Sequence, residues 1–169
     1  MPLIRMRHPV DTPPLLAVLA SVHHASSYPL RWPADPVAWL TPPSFLTSWV
    51  AVEDEAVLGH VALLSAPEAR TAAPWMEATG LPPDRLAELA KLFVAPEARG
   101  QGLGSALLEA AAGASREWGL RPVLEVLDNN CGAIALYERA GWQRVASVPV
   151  SWAQGDEGPL PLHYYVGPA

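Results

Sequence analysis

Three glycines at alternate positions, Gly100, Gly102 and Gly104, separate the apolar stretch "LFVA" from the alanine-rich stretch "SALLEAAAGA". Glycine is costly inside a helix; it is favoured where the backbone takes positive φ or where something must come close to it. A strand-to-helix turn built this way keeps its backbone open to a close approach. A helix N-terminus lies directly behind it, with unpaired N–H groups and partial positive charge. The matching ligand is an anion, and a run of converging N–H groups over 100–105 suits a pyrophosphate, with Ser105 adding a hydroxyl. A plain glycine-rich turn remains the other reading of these residues alone.

Known phosphate motifs narrow the choice. A P-loop requires a lysine and a Ser/Thr after its last glycine. Here Ser105 follows Gly104 directly, and no lysine is near. A dinucleotide fingerprint requires Gly-x-Gly-x-x-Gly. Gly100 and Gly102 fit, and Glu125 or Asp128 could supply the later acid, but Ser105 occupies the third glycine's place. Only about 65 residues follow, too few for a full dinucleotide-binding fold. The pattern left is Arg-x-x-Gly-x-Gly, from Arg99 to Gly104.

Composition bounds the rest. A chain of 169 residues, 50% hydrophobic, suits a single domain over 1–169 around one core. No apolar run approaches the roughly 20 residues of a membrane span. The N-terminus lacks the basic-then-apolar layout of a signal peptide. Cys131 is the single cysteine, which excludes an intramolecular disulfide and a cysteine-based zinc site and fits a cytoplasmic protein. His23, His24, His60 and His163 show no His-x-x-x-His spacing, so no metal is expected. The net charge of −6 argues against nucleic acid as a partner. Residues 85–144 hold seven basic and seven acidic side chains; the rest hold four and ten, and so carry the whole imbalance. Such acidic segments favour a cationic substrate or serve only solubility.

Periodicity gives an order of elements. Residues 3–8 alternate like an edge strand, and 12–26 open with Thr12 and two prolines as a helix does. A short helix is expected at 34–40 and a hairpin over 48–65 around "EDEA". Residues 66–83 read as a Pro/Ala-rich loop with one helical turn near Trp75. A strand at 89–94 precedes the glycines; "RLAELAK" also admits a helix end. Leu103, Ala106, Leu107, Ala110, Ala114 and Trp118 form the core face of a helix over 103–118. A strand at 122–127, a helix at 131–141 closed by Gly141, and two strands joined by "QGDEG" complete a mixed α/β layout.

Two segments together resemble the GNAT superfamily of N-acetyltransferases. "LFVAPEARGQGLGSALLEAA" is similar to its acetyl-CoA segment. "DNNCGAIALYERAGW" is similar to its second signature, here Asn130, Ala133, Tyr137, Gly141 and Trp142. The two cover roughly 88–145; the first 45 residues and 66–87 carry no signature. The resemblance implies a mixed, mostly antiparallel central sheet, splayed between its fourth and fifth strands and flanked by helices. It implies acetyl-CoA as co-substrate: pantetheine on the backbone of Leu92, Phe93 and Val94, pyrophosphate on Arg99, Gly100, Gln101, Gly102, Leu103, Gly104 and Ser105, and a further contact at Asn130. It also implies direct transfer, which agrees with the lack of a Gly-x-Ser-x-Gly elbow.

Acetyl transfer needs a neutral amine, a polarised thioester carbonyl and a stabilised leaving thiolate. Tyr137 matches the family tyrosine that serves the departing sulfur; the other reading is a tyrosine that anchors its helix. A phenol has little driving force to protonate a thiolate fully, so its hydrogen bond matters more. Val94 or Phe93 N–H is the donor to the carbonyl oxygen. Glu88, eleven residues before Arg99, stands where some members keep a general base; the other reading is a solvated glutamate. Glu53, Asp54 and Glu55 read as a solvated turn. His23 or His24 could line the acceptor pocket. Trp32, Trp39 and Trp75 lie in the segments that form it, where aromatics suit an apolar or cationic molecule, although core packing also accounts for them. The expected acceptor is a small-molecule or amino-acid-like primary amine. A non-catalytic acyl-CoA sensor and a protein Nα- or lysine acetyltransferase are the alternatives. Family analogy admits a homodimer through an exposed strand at 162–166.

Overall fold

In the computed structural model, residues 2–169 are described. Seven strands are ordered β1-β2-β3-β4-β5-β7-β6: β1 (Leu3–Met6), β2 (Phe45–Glu53), β3 (Ala56–Ser65), β4 (Leu86–Val94), β5 (Arg121–Leu127), β6 (Gln143–Gly155) and β7 (Gly158–Val166). Five helices accompany them: α1 (Thr12–Ser26), α2 (Pro36–Leu40), α3 (Ala69–Thr79), α4 (Leu103–Glu117) and α5 (Cys131–Arg139). The β1–β2, β2–β3, β5–β7 and β6–β7 pairs are antiparallel, and β4–β5 is parallel. This is the mixed, mostly antiparallel sheet expected. The β4–β5 ladder holds only Leu86↔Arg121, Ala87↔Pro122 and Glu88↔Val123, and β4 runs on to Val94 beyond it. The chain divides into two compact units.

The first unit comprises 1–64 and 89–114. Its hairpin turns on Asp54 and Glu55, both at positive φ (48° and 67°), the backbone that matches strand twist in a two-residue loop. Leu15, Leu19 and Val22 recur at helical spacing on α1 and bury against Val50, Val57, Leu40 and Phe93. The start of α1 is held to β1 by a two-pronged contact: Arg5 donates from Nη1 and Nη2 to the Asp11 carboxylate at 2.8 and 2.9 Å. Asp11 also accepts from the His8 N–H at 2.7 Å. These hydrogen bonds, Arg5's first, hold the Asp11 carboxyl below its ordinary range although it is buried.

The second unit comprises 65–88 and 115–169. Here α3 corrects the sequence reading, which had a loop with one turn at 66–83. An eleven-residue helix forms although Pro74 stands inside it. The apolar side of that helix outweighs the missing N–H: Ala72 and Trp75 are fully buried against Leu86, Val123, Leu162, Tyr164 and Val166. Trp75 Nε1 donates to the Leu124 carbonyl at 3.3 Å, and its ring meets Tyr164 edge-on at 5.2 Å. Trp75 is therefore core. Trp118, expected on the core face of α4, is 51% exposed because the helix ends at Glu117, one residue short of it. The edge assignment also changes. β7, with 162–166, lies between β5 and β6, so it offers no free edge for a partner; the outer strand is β6. Pro149 is tolerated on that strand because an edge needs fewer ladder N–H groups. Among the described residues no helix is long and apolar enough to cross a membrane.

Candidate active site

In the first unit the end of β4 leads through a single 3-10 turn (Pro96–Ala98) into the glycine loop and α4. Gly100 and Gly102 have φ of 78° and 80°, the left-handed region that side chains resist. No heavy atom lies within 4 Å of where a Cβ would stand at either one. The chain's own reason for these glycines is therefore backbone conformation rather than crowding. The space above them is left clear. The Gly102 carbonyl accepts from the Ala106 N–H at 3.1 Å, so the N–H groups of 103–105 precede the first helical bond. They carry the positive end of α4. Gly100, Gln101, Gly102 and Ser105 are exposed, Gly104 is half-buried, and Leu103 turns into the core. Arg99 is exposed and ties the loop to α1 through Nη2 to Ser26 Oγ at 3.1 Å.

Residues 92–94 are reached through a kink the sequence did not announce. Lys91 has φ of 55°, which breaks the extended run of β4. The displaced Lys91 carbonyl accepts from His60 Nδ1 at 2.8 Å. His60 is fully buried and stacks on Phe93 with ring centroids 5.3 Å apart. Burial above all pushes its pKa down to about 4, so the ring is neutral and donates as required. On the neighbouring strand residue a Cβ in place of Gly59's hydrogen would lie 2.9 Å from the Phe93 oxygen and 3.0 Å from Leu107 Cδ1. Only glycine lets the two strands and α4 come this close. Phe93 is buried, while Leu92 and Val94 are half-buried.

In the second unit Tyr137 on α5 is buried, with ring centroids 6.0 Å from Tyr165 and 6.3 Å from Trp142. Burial, then Tyr165, raises its hydroxyl pKa well above the ordinary phenol value. The group remains a neutral O–H donor at any working pH. Asn130 caps α5: its Oδ1 accepts from the Ala133 N–H at 3.3 Å. That leaves the Asn130 Nδ2 side of the amide for any ligand contact. Glu88 is a half-buried strand residue, not the solvated end of a helix. Its register partner Val123 is two residues from Glu125, which faces Tyr164. Glu88, Glu125 and Tyr164 thus share one face of the sheet. After burial, the two carboxylates raise the Tyr164 pKa, Glu125 more than Glu88. Tyr137 packs on Tyr165, which faces Leu124 and so belongs to the opposite face. The structure therefore does not bring Tyr137 and Glu88 together on one face.

Other side chains singled out from the sequence have structural occupations. His23 Nδ1 bonds the Pro29 carbonyl at 2.7 Å, and its ring lies 5.5 Å from that of Trp32. The Trp39 face is covered by Lys91, with Nζ 3.9 Å from the ring centroid, so a cation already sits there. Cys131 is exposed at the start of α5. Among the described residues no three His, Cys, Asp or Glu side chains cluster as a metal-ligand set. Sequence reasoning missed the His60–Lys91 contact and the Glu88–Glu125–Tyr164 group. It also missed a chain of contacts through Ser147, His163 and Asp128. Each joins residues distant in sequence, and no local pattern marks them.

A profile of the acetyltransferase (GNAT) family matches residues 16–142. Mycothiol acetyltransferase of Geodermatophilus obscurus is 44% identical over 71 residues, which is 41% of this chain and 23% of that protein. The chain thus matches about a quarter of that curated relative's length. The fold is similar to the crystal structure of the ribosomal-protein-S18-alanine N-acetyltransferase of Escherichia coli, with a TM-score of 0.71 at 20% identity, covering 99% of this chain and 94% of that one. It is also similar to an N-acetyltransferase of Staphylococcus aureus Mu50, with a TM-score of 0.75 at 18% identity over 98% and 97% of the two chains. With three quarters of its length matched by the family profile, a parallel β4–β5 pair in a mixed sheet and a glycine turn leading into α4, the chain belongs to the acetyltransferase (GNAT) family.

Proposed function

We propose that the protein is an acetyl-CoA-dependent N-acetyltransferase, a single domain over 1–169. It moves an acetyl group directly to a primary amine of a small-molecule or amino-acid-like acceptor in the cytoplasm. The observation that carries this reading is the glycine loop: two positive-φ glycines with clear space at their Cβ positions, directly before the N-terminus of α4. The backbone N–H groups of 100–105 and the Arg99 guanidinium would hold the pyrophosphate, with Gln101 and Ser105 at the rim. The backbone of Leu92, Phe93 and Val94 would pair with pantetheine, and Asn130 would add a contact. When bound, acetyl-CoA supplies an activated acyl carbon. The amine nitrogen attacks it, the C–N bond forms and the C–S bond breaks. Glu88, on the other face of the sheet from Tyr137, takes the surplus amine proton through water, and Tyr137 donates a hydrogen bond to the departing sulfur. The buried, strongly protonated Tyr137 supports a donor that polarises the sulfur rather than an acid that gives its proton away.

The small-molecule reading has support from the relative whose name is mycothiol acetyltransferase. CoA release measured across small amines, amino acids and peptides with free N-termini or lysines tests the assignment. Turnover with small amines and none with peptides is the expected result. Turnover with peptides alone would overturn the acceptor class. Tight acetyl-CoA binding with no turnover on any amine would leave a cofactor sensor.

A further inference from the structure

Three side chains of the second unit, unused in the acetyl transfer above, form a relay. Ser147 on β6 stands directly opposite His163 on β7 in the antiparallel ladder. Their side chains share a face, and Ser147 Oγ lies 2.7 Å from His163 Nδ1. The other ring nitrogen, Nε2, lies 2.7 Å from Asp128 Oδ1, just past the end of β5. The Asp128 backbone is itself fixed, its N–H donating to the Pro161 carbonyl at 3.0 Å. The acceptor-only carboxylate accepts a hydrogen bond from Nε2–H, so Nδ1 carries the lone pair and the Ser147 hydroxyl donates into it. Every donor points the same way: Ser147 to His163 to Asp128. This is the order of a serine nucleophile, its base and the base's orienter, with the two ring nitrogens exchanged relative to the serine-protease case.

Burial favours a reactive reading over a staple between strands. His163 is only 4% exposed, which locks its ring, whereas Ser147 is exposed on the outermost strand and the Asp128 side chain is 52% exposed. The base is sheltered, and the nucleophile is open to solvent.

We propose that Ser147, His163 and Asp128 form a second acyl-transfer site, a nucleophilic serine that reacts with small activated carboxylic esters. Ser147 Oγ bonds the carbonyl carbon as its proton passes to His163 Nδ1. Collapse breaks the ester C–O bond, and the leaving alcohol takes that proton. A water then attacks the acyl-serine, delivers its proton to His163, and Ser147 leaves with it, releasing the carboxylic acid. Asp128 is a positioning residue that holds the ring tautomer and the transient imidazolium.

The test uses the full chain and p-nitrophenyl acetate with no CoA present, so it stands apart from the N-acetyltransferase assignment. The expected result is a burst of nitrophenolate approaching one per chain, with acetyl found on Ser147 by peptide mass spectrometry. Ser147→Ala should abolish the burst. Asp128→Asn should slow acylation by about 100-fold with an unchanged thermal midpoint, a separation that a staple would not produce. Both residues are solvent-exposed, so these variants keep the fold. No burst in the wild-type chain, an equal burst in Ser147→Ala, or acetyl on another residue would overturn the proposal.

Discussion

His60 shows how one side chain serves both fold and site. It is neutral in the folded chain because burial depresses its pKa from 6.5 to about 4. The unfolded chain therefore binds more protons between these values, and stability falls as pH drops from 6.5 to 4 and is unaffected by this group above 6.5. The lost stability amounts to roughly 3 kcal/mol by pH 4. His60→Gln should flatten the urea-unfolding free energy across that window relative to wild type; an unchanged slope would remove His60 as the titrating group. Tyr137 makes a different demand. Tyr137→Phe keeps the ring that packs against Tyr165 and Trp142, so acetyl-CoA affinity should stay within about twofold while kcat falls about 10- to 100-fold. Equal turnover would leave Tyr137 a packing residue.

At the scale of elements, the glycine loop and α3 carry opposite lessons. The loop was legible because alternate glycines before a helix are a local pattern. The structure sharpened the reason: positive φ with open space, not contact with the rest of the chain. Gly102→Val should cost about 1–2 kcal/mol of backbone strain and weaken acetyl-CoA binding more than tenfold by calorimetry. Gly80→Ala, at φ of 71° beyond the end of α3, imposes similar strain and should leave binding unchanged. Equal weakening by both variants would assign the effect to strain alone. The helix α3 was hidden because Pro74 and the Pro- and Ala-rich composition around it argue against a helix, and burial of Trp75 decides otherwise. Trp75→Ala should lower the unfolding free energy by about 3–5 kcal/mol, read from urea denaturation.

For the whole molecule, ligand linkage gives a direct check. Acetyl-CoA at about 100 times its Kd should add about 2.7 kcal/mol and raise the thermal midpoint by about 5–10 °C. No shift would contradict the assigned co-substrate whatever the acceptor. The sequence by itself determined the elements that rest on short-range physics. Alternation and 3.6-residue spacing marked the 48–65 hairpin, the 12–26 helix and the strands around the glycine turn, and the two signatures named the family. Only the tertiary structure decided what depends on pairing across distance. It put β7 inside the sheet and β6 at its edge, buried Trp75 and exposed Trp118. It joined His60 to Lys91 across 31 positions, and His163 to Ser147 across 16 and to Asp128 across 35. Local propensity is set by neighbours within a turn or a strand pair, whereas a buried polar contact is set by strand order, register and face, which no short window of sequence contains.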